Sequence, residues 1–269
     1  MATLHFVKMV AAGNDFVVLD NRRLILKKDF RSKALKLCDR KFGIGADGVL
    51  LLEKFNKASI RMRIFNPDGS EADMCGNGVR CLSKFAVDKK IVSPVHTVET
   101  GAGTIESTVK NAIVKSRLTQ PKDFKSDIKI LAGGRTEIVH FLNTGVPHVV
   151  IVEREIKELD VDGRGRAVRY HEAFAPKGTN VNFMTFEKGN AIRVRTYERG
   201  VEGETLACGT GSTASALIAA KLKGLKSPVQ VVTLSGEKLK VYFKQDGHLF
   251  KEVYLEGEVK NVFEGSVSI

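Results

Sequence analysis

The sequence predicts a mixed α/β fold that consists of two duplicated halves. Its 269 residues contain many short apolar or alternating runs bounded by Gly, Pro, Asn and Asp, which is the pattern of strands. Few segments have the pattern of a helix. An internal repeat that recurs after about half the chain indicates the duplication.

The predicted strands are spread along the whole chain. The clearest is Ile60–Phe65, in which apolar residues alternate with arginine. The others are expected at 4–9, 16–20, 49–52, 104–109, 113–118, 137–142, 149–152, 182–186, 191–197, 229–233, 239–243 and 249–255. Helices are predicted at 31–40, 79–88 and 213–223, and Gly224 closes the last of them.

The composition argues against several classes of protein. The four cysteines are neither in a Cys-x-x-Cys motif nor near clustered histidines, so we expect free thiols instead of a disulfide framework or a zinc site. No segment approaches the roughly 20 apolar residues of a membrane span, and the first residues lack the pattern of a secretory signal. We therefore expect a cytoplasmic protein without a membrane partner.

The formal net charge of +12 suggests an anionic partner. However, the basic residues are scattered in short clusters, the chain has no Trp, and no cluster alternates with aromatic residues as in a base-stacking surface. We expect a solvated basic surface and no nucleic-acid partner.

The internal repeat leads to two cysteine motifs. Residues 60–66 align without a gap with residues 192–198, and both segments continue through a loop with Gly and Glu to Cys-Gly-x-Gly. These motifs are Cys75-Gly-Asn-Gly78 and Cys208-Gly-Thr-Gly211. An Asn-containing turn before a strand, at 13–16 and 179–183, is a third shared feature. We infer two halves joined near residues 118–127, where 119–123 has the composition of a connector.

Each cysteine motif precedes a predicted helix, and a thiol at the start of a helix is more easily ionised than an ordinary thiol. Unpaired N–H groups and the positive end of the helix dipole stabilise a thiolate, and the same N–H groups can hold a carboxylate. Two such thiols on opposite faces of an α-carbon could invert it, because one removes the α-proton and the other returns a proton to the opposite face. Alone, either motif fits an ordinary turn, whereas the pair predicts catalysis by Cys75 and Cys208. Cys38 and Cys81 are expected to be packing residues.

The chain resembles the diaminopimelate epimerases along almost its whole length. The resemblance is carried by Gly13-Asn-Asp-Phe-Val, by Gly43-Ile-Gly-Ala-Asp-Gly, by Met74-Cys-Gly-Asn-Gly-Val-Arg-Cys81 and by the long motif from Tyr197 to Ser212. It implies an α/β (α+β) fold of two pseudo-symmetric domains, each a strongly curved mixed sheet wrapped around a central helix. It also implies interconversion of LL- and meso-diaminopimelate in lysine synthesis, without a cofactor or metal, commonly by a homodimer.

The resemblance also implies a division of the chain and a set of site residues. We expect a first half at 1–117, completed by a C-terminal strand at about 259–269, and a second half at 118–258. The catalytic residues would be Cys75 and Cys208, and His148 and Glu198 would tune the thiols. The substrate-binding residues would be Asn14, Asn66, Gly76, Asn77, Asn180, Glu198, Arg199, Gly209 and Thr210.

Without the resemblance these residues have plainer interpretations. The asparagines fit turn formers, Glu198 and Arg199 fit a surface pair, and a lone His after Pro147 fits a structural role. Two positions also depart from some family members, because Val146 replaces an Asn and Gly48 replaces a Gln. A polar contact to the far end of the substrate is therefore either missing or supplied by another group.

Two other functions compete with this prediction. A proline or hydroxyproline racemase would have the same fold and two-cysteine chemistry, but those enzymes resemble Cys-Gly-His-Gly where this chain has Asn77. A basic binding protein without catalysis would not need two intact cysteine motifs. Both comparisons favour diaminopimelate epimerisation.

Overall fold

Strands dominate the computed structural model, which describes residues 3–26, 30–247 and 249–268. The described residues form eighteen strands, four α-helices and one short 3-10 helix, Glu172–Phe174. This mixed α+β structure with few helices confirms the predicted fold class. The chain divides into two compact units: one runs from the amino terminus to Arg117 and takes in the segment from Gly257 onward, and the other is Leu118–Glu256.

The first unit contains two helices and most of its strands in one continuous segment. Its elements are β1 (Thr3–Ala11), β2 (Asn14–Asp20), α1 (Arg31–Cys38), β3 (Gly48–Glu53), β4 (Ile60–Phe65), β5 (Glu71–Ala72), α2 (Gly76–Asp88), β6 (Val95–Thr100), β7 (Gly103–Lys110), β8 (Ile113–Arg117) and β18 (Lys260–Ser268). β1 pairs antiparallel with both β2 and β18, β2 pairs parallel with β3, and β3 pairs antiparallel with β4. β4 then pairs antiparallel with β5 and parallel with β6.

The sheet of the first unit surrounds α2. This helix packs against β1, β2, β3, β4, β7 and β8, and its side chains Val79, Leu82 and Phe85 lie in the core beside strand residues such as Met9 and Leu50. Burial of apolar side chains on most sides of one helix is what holds such a unit together. Cys81 lies in the same core, and Cys38 lies in a second apolar cluster with α1, where burial raises the pKa of its thiol to about 11.

The elements of the second unit repeat this arrangement in one continuous segment, with three strands before the first helix instead of two. They are β9 (Lys122–Ala132), β10 (Arg135–Asn143), β11 (Pro147–Val152), α3 (Val161–Arg169), β12 (Asn180–Glu187), β13 (Ala191–Glu198), β14 (Gly203–Thr205), α4 (Gly209–Lys223), β15 (Val229–Val232), β16 (Lys238–Asp246) and β17 (Leu249–Glu258), of which residues 249–256 belong to this unit. α4 packs against β10, β11, β12, β13, β15 and β16, and ten of its residues are buried.

The strand pairings of the two units follow one pattern. β11 pairs parallel with β12 as β2 does with β3, and β13 pairs antiparallel with β14 and parallel with β15 as β4 does with β5 and β6. In this order Asn14 begins the second strand of its unit, whereas Asn180 begins the strand equivalent to β3. The expectation that their turns repeat one feature is therefore wrong. Asn is common before many strands, so the match carried little information.

The two longest elements of the second unit that were not predicted are α3 and β9. α3 contains Gly163 and Gly165, which disfavour helix in isolation, but Asp160 caps it by accepting from the Gly163 N–H at 2.9 Å. Gly165 is required by packing, since a Cβ there would lie 2.5 Å from Cβ of Tyr197. β9 begins inside the predicted connector, and its mostly exposed side chains hide the alternation of a strand.

Within the part of the chain that the structure describes, no helix combines the length and the apolar composition that a membrane span requires.

Candidate active site

Cys75 stands at the beginning of α2 as its N-cap. Its backbone is extended, its carbonyl accepts from the Val79 N–H at 2.9 Å, and its sulfur accepts from the Gly78 N–H at 3.4 Å. A thiol in this position lies in the field of the helix N-terminus, which favours the thiolate. A Cβ on the neighbouring Gly76 would meet no atom within 4 Å in the described part of the chain, so the backbone beside the thiol is open to a ligand.

Cys208 occupies the same position on α4. Its backbone is also extended, and its carbonyl accepts from the Ser212 N–H at 2.8 Å. Its sulfur lies 3.4 Å from Oγ1 of Thr210, and the residue is buried. Each unit therefore carries one thiol at the N-terminus of its central helix.

The structure joins Asn14 and Asn77, two of the predicted substrate ligands, by a hydrogen bond. The amide nitrogen of the buried Asn77 donates to Oδ1 of Asn14 at 2.6 Å, and the amide nitrogen of Asn14 donates to Oδ2 of Asp47 at 3.2 Å. At the other end, the Arg80 guanidinium donates to Oδ1 of Asn77 at 2.7 Å. The two amides beside Cys75 are thus the middle members of a row of four side chains that ends at Arg80 and Asp47.

Asp47 belongs to an ionic cluster that anchors this row. Arg40 bridges Asp47 and Asp15, with nitrogen to oxygen distances of 2.7 Å to each carboxylate. Lys8 pairs with Asp15 at 2.8 Å. Burial alone would raise the pKa of Asp15, but the hydrogen bonds from Arg40 and Lys8 hold it well below its usual range.

Asn66 lies in the turn after β4. Its amide donates to Oγ of Ser70 at 3.0 Å, and its backbone N–H donates to the Ser70 carbonyl at 2.8 Å. Within the described residues it has no hydrogen bond to Asn14 or Asn77, so the turn-forming role is the one that its contacts support.

In the second unit, Asn180 connects two strands that carry predicted site residues. Its amide donates to the Pro147 carbonyl at 3.0 Å and accepts from the Arg199 N–H at 2.9 Å. The carboxylate of Glu198, the residue before Arg199, accepts from Oγ1 of Thr205 at 3.0 Å. Burial raises the pKa of Glu198, and the bond from Thr205 opposes that shift.

His148 is completely buried and is held by Asn182, a residue that the sequence analysis did not select. The amide nitrogen of Asn182 donates to the Val149 carbonyl at 2.9 Å and lies 3.2 Å from Nδ1 of His148. Because an amide nitrogen can only donate, Nδ1 accepts and the neutral ring carries its proton on Nε2. Burial, aided by the positive charge of Arg199, lowers the pKa of His148 to about 3. Nε2 has no hydrogen-bond partner among the described residues.

Four residues that support the site were not predicted, because the sequence around them gives only a weak indication of a role. Asp47 lies in the Gly43–Gly48 motif, Arg80 follows Cys75 by five residues, and Asn182 follows Asn180 on the same face of β12. Thr205 lies three residues before Cys208. Each is a polar residue near a motif, but which amide or carboxylate it contacts depends on tertiary structure.

The neutral state of His148 has a measurable consequence for stability. Its pKa is depressed in the folded protein, so between about pH 6.5 and pH 3 the unfolded chain binds a proton that the folded chain does not. The contribution of the neutral His148 to the unfolding free energy is complete above the pKa that this residue has in the unfolded chain. It is lost as the pH falls below that value. Between pH 6.5 and pH 5 we expect this residue to remove about 1.5 kcal/mol of unfolding free energy.

Urea denaturation at both pH values would measure this loss, with His148→Gln as the comparison. The variant lacks the titrating ring, so its disadvantage relative to the native protein should shrink as the pH falls. Parallel pH dependence of the two proteins would show that His148 is not buried in the neutral form.

The chain is similar in sequence to known proteins along almost its whole length. The sequence profile of the family described as "Diaminopimelate epimerase" matches residues 6–122 and 140–262. The diaminopimelate epimerase of Hydrogenobaculum sp. (strain Y04AAS1) is 46% identical over 97% of this chain and 97% of its own length. That of Aquifex aeolicus is 44% identical over 98% of both chains.

Solved structures with low sequence identity share the fold. A PhzF-family phenazine biosynthesis protein of Bacillus anthracis superimposes with a TM-score of 0.78 at 19% identity and covers 100% of both chains. A probable proline racemase of Agrobacterium radiobacter K84 gives a TM-score of 0.72 at 15% identity, over 99% of this chain and 93% of the other.

Proposed function

Because the chain belongs to the diaminopimelate epimerase family, and is therefore an isomerase with a small-molecule substrate, we propose that it interconverts LL- and meso-diaminopimelate through a pair of cysteines and without a cofactor. The observation that carries the two-base mechanism is the placement of Cys75 and Cys208. Each cysteine is the N-cap residue of the central helix of one of two units with the same strand pattern.

In this mechanism one cysteine is a thiolate and the other a thiol. The thiolate sulfur takes the α-proton, and the electron pair of the broken C–H bond stays on the α-carbon and its carboxylate. The thiol then gives its proton to the opposite face, so the first cysteine ends as the thiol and the second as the thiolate. Helix N-terminal N–H groups that hold the carboxylate would stabilise the charge that develops in the transition state.

The remaining predicted residues receive proposed roles around this centre. Gly76 with Asn77, and Gly209 with Thr210, would bind the α-carboxylate, while Asn14, Asn66 and Asn180 would supply further ligands. Glu198 and Arg199 would meet the amino-acid group at the other end of the substrate. His148 and Glu198 would tune the thiols, which fits a neutral imidazole that keeps its free Nε2 proton at physiological pH.

We further propose that the two units, whose second boundary lies between Glu256 and Gly257, correspond to the two epimerase halves predicted at 1–117 with 259–269 and at 118–258. We propose that the chain forms a cytoplasmic homodimer that binds neither nucleic acid nor membranes. A proline or hydroxyproline racemase remains the second candidate. A probable proline racemase shares the fold at 15% identity, whereas relatives at 46% and 44% identity are diaminopimelate epimerases. A basic binding protein without catalysis is the third.

The proposal is tested by incubating the purified protein with LL-diaminopimelate in deuterated water and no added cofactor. We expect formation of the meso isomer with solvent deuterium at one α-carbon, because the proton that is returned comes from a thiol that exchanges with solvent. Chiral chromatography with mass spectrometry would measure both, and L-proline is the control substrate. Inversion of proline but not of diaminopimelate would establish the racemase instead.

A further inference from the structure

Arg80 is a buried cation in the helix that Cys75 caps. Only 1% of its surface is exposed, and it lies in the second turn of α2. Burying a guanidinium has a large desolvation cost, and a positive charge near a helix N-terminus is also unfavourable. An arginine at this position therefore needs a specific role that outweighs both costs.

Its hydrogen bond to Asn77 defines the orientation of two amides. A guanidinium can only donate, so the atom of Asn77 that faces Arg80 at 2.7 Å must be the carbonyl oxygen. The NH2 group of Asn77 then points to Asn14 Oδ1 at 2.6 Å, and the NH2 group of Asn14 points to Asp47 at 3.2 Å. Arg80 at one end and the Asp47 carboxylate at the other therefore favour the same orientation of both amides, with each oxygen toward Arg80 and each NH2 group toward Asp47.

Among the residues that the structure describes, the second cysteine motif has no equivalent of this arrangement. Thr213 follows Thr210 by three residues, as Arg80 follows Asn77. Its hydroxyl donates to the Gly209 carbonyl of its own helix at 2.9 Å, so it satisfies the backbone of α4. The oriented row of amides belongs to the Cys75 motif.

We propose that Arg80 is a positioning residue of the Cys75 motif, which presents Asn77 and Asn14 to the substrate in one fixed orientation. This inference rests on the proposed function for its effect on turnover. Without Arg80 the Asn77 amide is free to rotate, and rotation would put its oxygen against Oδ1 of Asn14 in place of the N–H donor. The N–H group that Asn77 would offer to the substrate carboxylate in the proposed function would be displaced as well. The effect passes through Asn77, so it should vanish when Asn77 is absent.

A double-mutant cycle tests this coupling. Arg80→Met keeps the length of the side chain but cannot donate, and we expect kcat/KM for LL-diaminopimelate to fall about 10- to 100-fold, as for loss of a hydrogen bond to a charged group. In the Asn77→Ala background the same change should cost less than about 3-fold. Arg80→Lys keeps a charged donor and should recover part of the loss. Thr213→Val is the matched control in α4 and should stay close to the native value.

An equal loss in both backgrounds would overturn the proposal, because a merely structural arginine acts independently of Asn77. Side-chain amide NMR signals, assigned through Asn14→Ala and Asn77→Ala, give an answer that does not depend on the substrate. We expect Arg80→Met to shift or broaden the Asn14 signal. An unchanged Asn14 signal would overturn the inference, whereas absence of native turnover with an altered signal would overturn only the proposed function.

Discussion

Replacement of either Cys75 or Cys208 by alanine is expected to lower LL-to-meso turnover by about 1,000-fold or more, since a positioned acid or base contributes about 100- to 10,000-fold. In the proposed mechanism both cysteines are needed in each direction, because one must take the proton and the other must give it. The expected result has a second, more specific part. Each single variant keeps a thiol on one face of the α-carbon, so it should still exchange the α-proton of one isomer with solvent without inverting it.

The two variants should differ in which isomer they exchange. In deuterated water, one should label only the LL isomer and the other only the meso isomer, as measured by mass spectrometry of the recovered substrate. Cys38→Ala is the control, because Cys38 is a buried thiol with a raised pKa in a separate apolar cluster. Near-native turnover by either active-site variant, or labelling of both isomers by both variants, would rule out the two-base mechanism.

Gly211→Ala is expected to be strongly destabilising through its contact with Asn182. A Cβ at Gly211 would lie 2.2 Å from Oδ1 of Asn182, which accepts from Thr196 at 3.0 Å. Asn182 is fully buried and also holds His148, so it cannot move aside without breaking buried hydrogen bonds. We expect a loss of about 3 kcal/mol of unfolding free energy, which combines overpacking with an unsatisfied polar group.

The same substitution should be harmless once Asn182 is shortened. In the Asn182→Ala background the obstructing amide is gone, and alanine is a better helix former than glycine by about 1 kcal/mol. Urea denaturation of the four proteins in this cycle measures the coupling between the two residues. Additive losses would mean that Asn182 does not occupy the space beside Gly211. Gly203→Ala is a control for the effect of the added methyl group, because its Cβ would lie 3.8 Å from an oxygen of Asp162, an ordinary contact distance.

The sequence was informative where the signal is local. The Cys-Gly-x-Gly motifs predicted two helix N-termini, and the structure places Cys75 and Cys208 at the N-caps of α2 and α4. The roles of Arg80 and Asn182 could not be predicted in this way. Asn182 has its partners on β11 and β13. Arg80 contacts Asn77 of its own helix, but the row continues to Asn14 and Asp47 in other elements, and a motif does not name those partners.

The errors in the secondary structure have the same cause. α3 forms although its two glycines disfavour a helix, because Asp160 caps it and Gly165 fits against Tyr197. β9 forms although its side chains are mostly exposed, since pairing with β10 satisfies its backbone. In both segments tertiary contacts outweigh the local propensity.

The pairing of β1 with β18 determines when each unit can be completed during synthesis. Thr3 pairs with Ser268, so the outer edge of β1 has no partner until residues 260–268 have left the ribosome. The second unit is one continuous segment and meets no such delay. We therefore expect the second unit to be completed first during translation, although the amino-terminal unit is synthesised earlier. Until β18 is available, the unpaired edge of β1 is a site at which another chain can pair.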